Sequence, residues 1–176
     1  MTDSATVAAA TGPNGEVIRQ VIALITTLGP DRYTRRMPAA FNASIGGHVR
    51  HIIEHYRSFL AGLDTRAIDY EHRPRNTEIE QDPARACQAL AEIACGLERA
   101  EQEPMLNDLA YRTETTPGRH ASTSLVRELE YLLSHTVHHC ALVAVMCRLQ
   151  GHETEPGFGV APSTLRHEQS QLACAR

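Results

Sequence analysis

Apolar residues recur three and four positions apart along four separate stretches of this chain, and that period confines it to packed helices. The first stretch carries Val17, Val21, Ile22, Leu24, Ile25 and Leu28, and Gly29-Pro30 ends it. The second follows Ser44, a natural N-cap, with Ile45, Val49, Ile52, Ile53, Tyr56, Phe59, Leu60 and Leu63, and ends near Gly62. Asp82-Pro83 opens the third, whose stripe is Ala86, Leu90, Ile93, Ala94 and Leu97 and which stops before Pro104. The fourth runs from about Thr123 through Leu125, Leu129, Leu132, Leu133, Val137, Leu142, Val145, Met146 and Leu149, with Gly151 as its stop. These stripes predict helices near 14–28, 44–63, 82–102 and 123–149: one all-α domain over 14–167, a four-helix bundle.

The connections follow by difference. Residues 1–13 read as a frayed start broken at Thr11-Gly12-Pro13, and 31–43 as a loop. The polar segment 64–81 is a long connection crossing the bundle. Residues 105–122 are the least helical; Leu106–Thr113 alternates like a short strand or hairpin arm, before a Pro117-Gly118 turn. Pro156–His167 is rich in Gly and Pro, and 168–176 is a tail.

Composition narrows the function classes. At 176 residues the chain can bury a full core without a disulfide or structural metal, so a bound metal would serve function rather than folding. Aromatic residues are few and Trp is absent, which leaves the core to Leu, Ile, Val and Ala. The net charge of −4 offers no basic face for phosphate backbones, so nucleic acid is not an expected partner. Every basic residue is Arg, a composition bias that no single site would demand. Five cysteines, an odd number without a CxxC pair, no signal-peptide pattern and apolar runs short of a membrane span predict a cytoplasmic protein with reduced thiols and no membrane partner. Cys87 and Cys95, and likewise Cys140 and Cys147, read as small buried hydrophobes on helix faces.

Ten histidines stand out, and six of them fall on two of the helices. His48, His51 and His55 share one face of the second. On the fourth, His135 and His139 stack one turn apart, with His138 turned about 100° from His139. Two His at i and i+4 aim two nitrogens at one point, and one more from a facing helix makes three ligands for a metal ion inside a bundle. A lone pair at this spacing also arises by chance on ordinary helices; the second cluster is what makes it informative. Spacing alone leaves open which of His48, His51 and His55 would join it. Three neutral imidazoles suit zinc, nickel, copper or iron and leave a position for water or substrate. His72, His120, His152 and His167 read as loop residues without a role.

The stretch Ser44-Ile-Gly-Gly-His-Val-Arg-His51-Ile-Ile-Glu-His-Tyr resembles the second-helix motif of the DinB/YfiT-like family, and His135-Thr-Val-His-His139 resembles its last-helix HxxxH pair. Arg127-Glu128-Leu129 and Phe158-Gly159-Val160-Ala161-Pro162-Ser163-Thr164 resemble one sub-branch. Cys140-Ala141 departs from many relatives, where Arg-Gly is frequent. The resemblance implies a metal site between helices with ligands His51, His135 and His139, and one divalent ion, zinc, nickel or iron. It implies an enzyme acting on a small-molecule substrate, a low-molecular-weight thiol transferred to an electrophile in a detoxifying reaction. A metal-assisted hydrolase is the near alternative, and a non-catalytic metal-binding stress protein the alternative of another class. A homodimer is left open. Glu54 and Glu128 share helix faces with the ligands, which makes them candidates to orient a histidine or act as general base. Solvated helix charge is the plainer reading of both. Arg50 and Arg127 are candidates to bind an anionic group on the same terms.

Overall fold

The computed structural model describes residues 4–102 and 108–174. Four long helices pair around one core: α1 (Ser4–Leu28), α3 (Ile45–Thr65), α5 (Pro83–Gln102) and α6 (Leu125–Leu149). Two short helices, α2 (Pro30–Thr34) and α4 (Thr77–Gln81), a terminal α7 (Pro162–Cys174) and a 3-10 turn at Pro38–Ala40 complete the described helical part. Both α1 and α3 pack against α5 and against α6, so each long helix has two long neighbours. The core is largely aliphatic, with Ile18, Leu28, Ile52, Ile53, Leu90, Leu97, Leu125 and Leu132 at most 2% exposed, closed by Tyr33, Tyr56 and Phe59.

Helix starts follow the capping residues. The Ser44 hydroxyl accepts from the Gly47 amide at 3.0 Å, and Ser124 from Arg127 at 3.3 Å. The Asn76 side chain caps α4 through the Glu78 amide, and the Asp82 carboxylate accepts from Ala84 ahead of α5. A small sheet packs on α3 through its first strand: β1 (Ala67–Ile68) pairs parallel with β2 (Leu109–Arg112), which pairs antiparallel with β3 (His120–Thr123), Leu109 facing Thr123. The alternation ahead of Pro117-Gly118 is thus one arm of a hairpin, and Gly118 turns it at φ 78°. Leu106 and Asn107, at the start of that alternation, lie outside the described residues.

Several boundaries differ from the sequence reading. The expected frayed start is helical from Ser4, and Pro13 sits inside α1. Burial outweighs the break: Val7 and Ala10 are in the core, and the Thr11 and Asn14 side chains bond the carbonyls of Val7 and Ala10. α3 passes Gly62 and ends at Thr65, because Gly62 is a notch and not a stop. A Cβ there would come within 2.5 Å of Ile68 Cγ1. Part of the 64–81 connection is ordered as β1 and α4, and part of the 31–43 loop is α2, pinned by Tyr33 donating to the Ile79 carbonyl at 2.8 Å. The tail after Ala161 is α7, so 168–174 is helical, with residues 175 and 176 outside the described part. His120 and His167 consequently stand on β3 and α7 rather than in loops. Finally, α6 is by length and composition apolar enough to cross a membrane, contrary to expectation. It is also a core helix of this fold, with Leu125, Leu129, Leu132, Thr136 and Cys140 buried.

Candidate metal centre

α3 and α6 lie side by side in opposite directions, and their histidines interleave. His48 meets His139 with ring centroids 5.2 Å apart, His139 meets His51 at 4.6 Å, His51 meets His135 at 5.0 Å, and His135 meets His55 at 4.1 Å. His51 is therefore the middle rung, touching both members of the α6 pair. His48 and His55 each reach one of them, and His138 lies beside His139 at 5.3 Å.

Counting hydrogen bonds shows which nitrogens are free. His55 Nδ1 is 2.9 Å from the His51 carbonyl, where only a donor fits, so its Nε2 keeps a lone pair. The Arg73 guanidinium lies over the face of that ring, with Nη1 2.7 Å from Nε2 and 3.0 Å from Nδ1. His48 and His139 face each other through Nδ1 atoms 3.0 Å apart, one donating to the other. The His135 Nε2 is buried and has no hydrogen-bond partner among the described residues. One nitrogen each from His51, His55 and His135 falls within 4.8 Å of the others.

These rings are held neutral. Burial, then His55, His139 and Arg73, drive the proton affinity of His51 down to about 2. Burial, then His135 and His48, bring His139 to about 3. Burial dominates again at His55 and His135, both lowered to about 4. A group of neutral imidazoles with a buried, unpartnered ring nitrogen is unfavourable by itself, since an orphaned buried polar atom forfeits its hydration. It fits a borderline divalent cation, for which imidazole is the preferred donor.

Beside the histidines is an aromatic wall. Tyr70 stacks on His55 at 5.5 Å, Tyr131 on His135 at 5.6 Å, and the two tyrosines touch at 5.3 Å. Behind them a cavity of about 210 Å³ is lined by Tyr70, Tyr111, Arg112, Arg127, Glu128 and Tyr131. Arg127 lies 5.5 Å above the Tyr131 ring.

His51, His135 and His139 lie beside one another, with His48 and His55 among them, and the three whose ring nitrogens fall within 4.8 Å of one another are His51, His55 and His135. Glu54 and Glu128 are both buried, and neither bonds a histidine. Glu54 accepts from the Asn76 amide at 3.0 Å and faces Arg50 at 3.7 Å and Arg73 at 3.8 Å. Glu128 accepts from Tyr70 at 2.8 Å and from Thr123 at 2.6 Å, which fixes the tyrosine that stacks on His55. Arg50 is committed to Glu80 at 3.0 Å, whereas Arg127 is more than half exposed at the cavity. A second acidic group, Asp69, Glu71 and His72, is tied to Arg112 and to local amides and serves to hold its turn. Sequence reasoning missed Tyr70, Arg73 and Tyr131. Tyr131 was within reach of it, four residues before His135 on the same face; Tyr70 and Arg73 lie in a connection without periodicity.

The chain is similar to FK506-binding protein 5 of Rhizopus delemar, 28% identical over 108 residues. The match takes in 59% of this chain and 28% of that protein, so the chain spans just over a quarter of the relative's length. No solved structure matches. The model of the DinB family matches residues 6–163, nearly the whole described fold, and the chain belongs to the DinB family.

Proposed function

We propose that the four long helices form a DinB-type four-helix bundle that holds one divalent ion, zinc, nickel or iron, and works as an enzyme on a small thiol. The observation that carries this reading is the buried, unpartnered His135 Nε2 among neutral histidines beside an aromatic cavity. Its ligands are His51, His135 and His139. His51 is the rung shared by both α6 histidines. His139 can give its Nδ1 proton to His48 and keep Nε2 for the ion, as metal-bound imidazoles commonly do. His55 is the ring whose face the Arg73 guanidinium covers, a positive charge that disfavours a cation there.

An ion held by three neutral ligands supplies Lewis acidity and lowers the proton affinity of a thiol or water sharing it. The chain's own residues do the rest. Tyr70, fixed by Glu128, and Tyr131 give the cavity an apolar face for the body of a substrate. Arg127, exposed at the rim, supplies positive charge for an anionic substituent. Glu128 is a positioning residue on this reading, and Glu54 anchors the arginines beside the site.

A closed, storage-type site is the second reading, favoured by the nearness of the His55 nitrogen to those of His51 and His135. Among the described residues, Cys87, Cys95, Cys140 and Cys147 stand unpaired, in keeping with a reducing, cytoplasmic setting. The test is elemental analysis of the native protein followed by incubation of the loaded form with low-molecular-weight thiols and an alkylating electrophile. Metal-dependent thiol consumption that His135→Ala abolishes is the expected result. Turnover of ester or amide substrates without thiol would favour the hydrolase instead, and a loaded protein inert to both would favour storage.

A further inference from the structure

Three arginines share two buried carboxylates beside the histidine ladder. Glu80 is 3.0 Å from Arg50 and 3.2 Å from Arg36, while Glu54 is 3.7 Å from Arg50 and 3.8 Å from Arg73. One positive charge is left over, and the contacts place it on Arg73. Its side chain is 15% exposed, and its Nε is buried without a hydrogen-bond partner among the described residues. Its Nη1 stands 2.7 and 3.0 Å from the two ring nitrogens of His55, above the ring plane, where it meets π density and no lone pair. Among the described residues no oxygen accepts from this guanidinium, Glu54 being beyond hydrogen-bond reach. A guanidinium carries five donors and cannot shed its proton, so a mostly buried one without an acceptor is short of an anion.

Its place shows where that anion would sit. The His55 ring beneath it is 4.1 Å from His135 and 4.3 Å from His51 between centroids, and Tyr70 stacks on the same ring at 5.5 Å. The charge of Arg73 also bears on His139 and on Tyr131, so it is close to both the ladder and the aromatic wall. An ion on His51, His135 and His139 and this guanidinium would repel each other, and an anion touching both relieves the repulsion. The surplus is one charge on a flat fork of donors, which matches the single charge and two oxygens of a carboxylate. We propose that Arg73 is the anion-binding residue of the metal centre and takes a carboxylate of the substrate beside the ion. This rests on the metal reading above for the ion, and on the surroundings of Arg73 itself for the anion. Arg127, more than half exposed, remains a charge at the outer rim.

Acetate serves as the probe, and the full chain loaded with cobalt(II) reports it through visible absorption. Titrated at constant ionic strength, acetate should shift the wild-type spectrum and saturate. Arg73→Met should weaken acetate roughly tenfold or more, the scale of a lost charged hydrogen bond. Arg73→Lys keeps the charge without the fork and should recover only part of that loss. Cobalt itself should bind Arg73→Met at least as tightly as wild type, because a like charge is gone; this separates lost anion binding from a lost site. Arg57→Met, which removes a surface arginine paired with Glu92, should leave acetate binding unchanged. A wild-type cobalt spectrum that acetate does not move, equal acetate affinity in wild type and Arg73→Met, or an equal loss in Arg57→Met would overturn the proposal and spare the metal centre. Wild-type protein that binds no cobalt would overturn the metal reading instead, and Arg73 is then judged on metal-free protein. There, acetate in place of chloride at equal ionic strength should raise the wild-type melting midpoint. An unmoved midpoint would overturn the Arg73 proposal too, and this arm needs no variant to fold.

Discussion

His48 and His139 share one proton across Nδ1 atoms 3.0 Å apart, and that bond ranks the three α3 histidines. His51→Ala removes a ligand, and His48→Ala removes the group that orients one. Competition with a chelator should therefore show the largest affinity loss in His51→Ala, about 10- to 100-fold in His48→Ala, the usual effect of losing an orienting partner, and little in His55→Ala. Equal losses in all three would mean the ladder is redundant. The cysteines are ranked by burial in the same way. The Cys140 thiol is pushed up to about 12 and Cys147 to about 11, burial being the main cause in both. Cys95 is exposed. Since the thiolate is the reactive form, alkylation of the folded protein at neutral pH should label Cys95 well before Cys140. Early labelling of Cys140, read by peptide mass, would contradict its placement in the core.

At the scale of elements, α1, α3 and α6 are keyed together by a buried polar chain beneath the histidines. Tyr56 on α3 donates to Asn14 Oδ1 on α1 at 2.6 Å, Asn14 donates to the Leu129 carbonyl of α6 at 3.0 Å, and Thr136 of α6 reaches Tyr56 at 3.3 Å. Tyr56 follows His55 and Thr136 follows His135, so the chain also sets the height of the two histidine rows. Tyr56→Phe leaves the Asn14 oxygen buried without a donor, and should cost about 1–3 kcal/mol in denaturant titrations. An unchanged midpoint would mean that the hydroxyl bonds contribute nothing net. The long helices and the histidine rows were legible because both depend on a 3.6-residue period, which one sequence carries on its face. Arg73 and Tyr70 were not, because they reach the site through β1 and the turn after it, a tertiary path with no local period. The helical start of α1 was hidden for a related reason. Pro13 signals a break locally, while the burial of Val7 and Ala10 that overrides it exists only once α1 is packed. The register was legible only in part, since spacing places His48, His51 and His55 on one face and the antiparallel docking of α6 decides which is central.

For the whole molecule, the histidine cluster makes the metal-free fold acid-sensitive. An unfolded histidine takes up its proton near 6.5, whereas His51, His55, His135 and His139 are held to about 4 or below in the fold. As pH falls through 6.5 the unfolded chain binds protons that the folded chain refuses. Stability is thus complete above that pH and drains away as pH drops toward 4 and below. A divalent ion should steepen this dependence and raise the plateau. It binds only the folded site, adding RT ln(1 + [L]/Kd), about 2.7 kcal/mol at a hundredfold excess over Kd. The core of 176 residues is large enough to stand without it. Thermal melts of chelator-treated protein should therefore remain cooperative, with a midpoint below that of the loaded form at pH 7.5 and a gap that narrows as pH falls toward 5, where protons compete for the same lone pairs. In His135→Ala/His139→Ala the helical signal should persist, the metal-dependent gap should vanish and the acid limb should become shallower, because two of the proton-refusing rings are gone. A double variant that melts non-cooperatively at neutral pH would show instead that the histidine ladder is part of what holds α3 against α6.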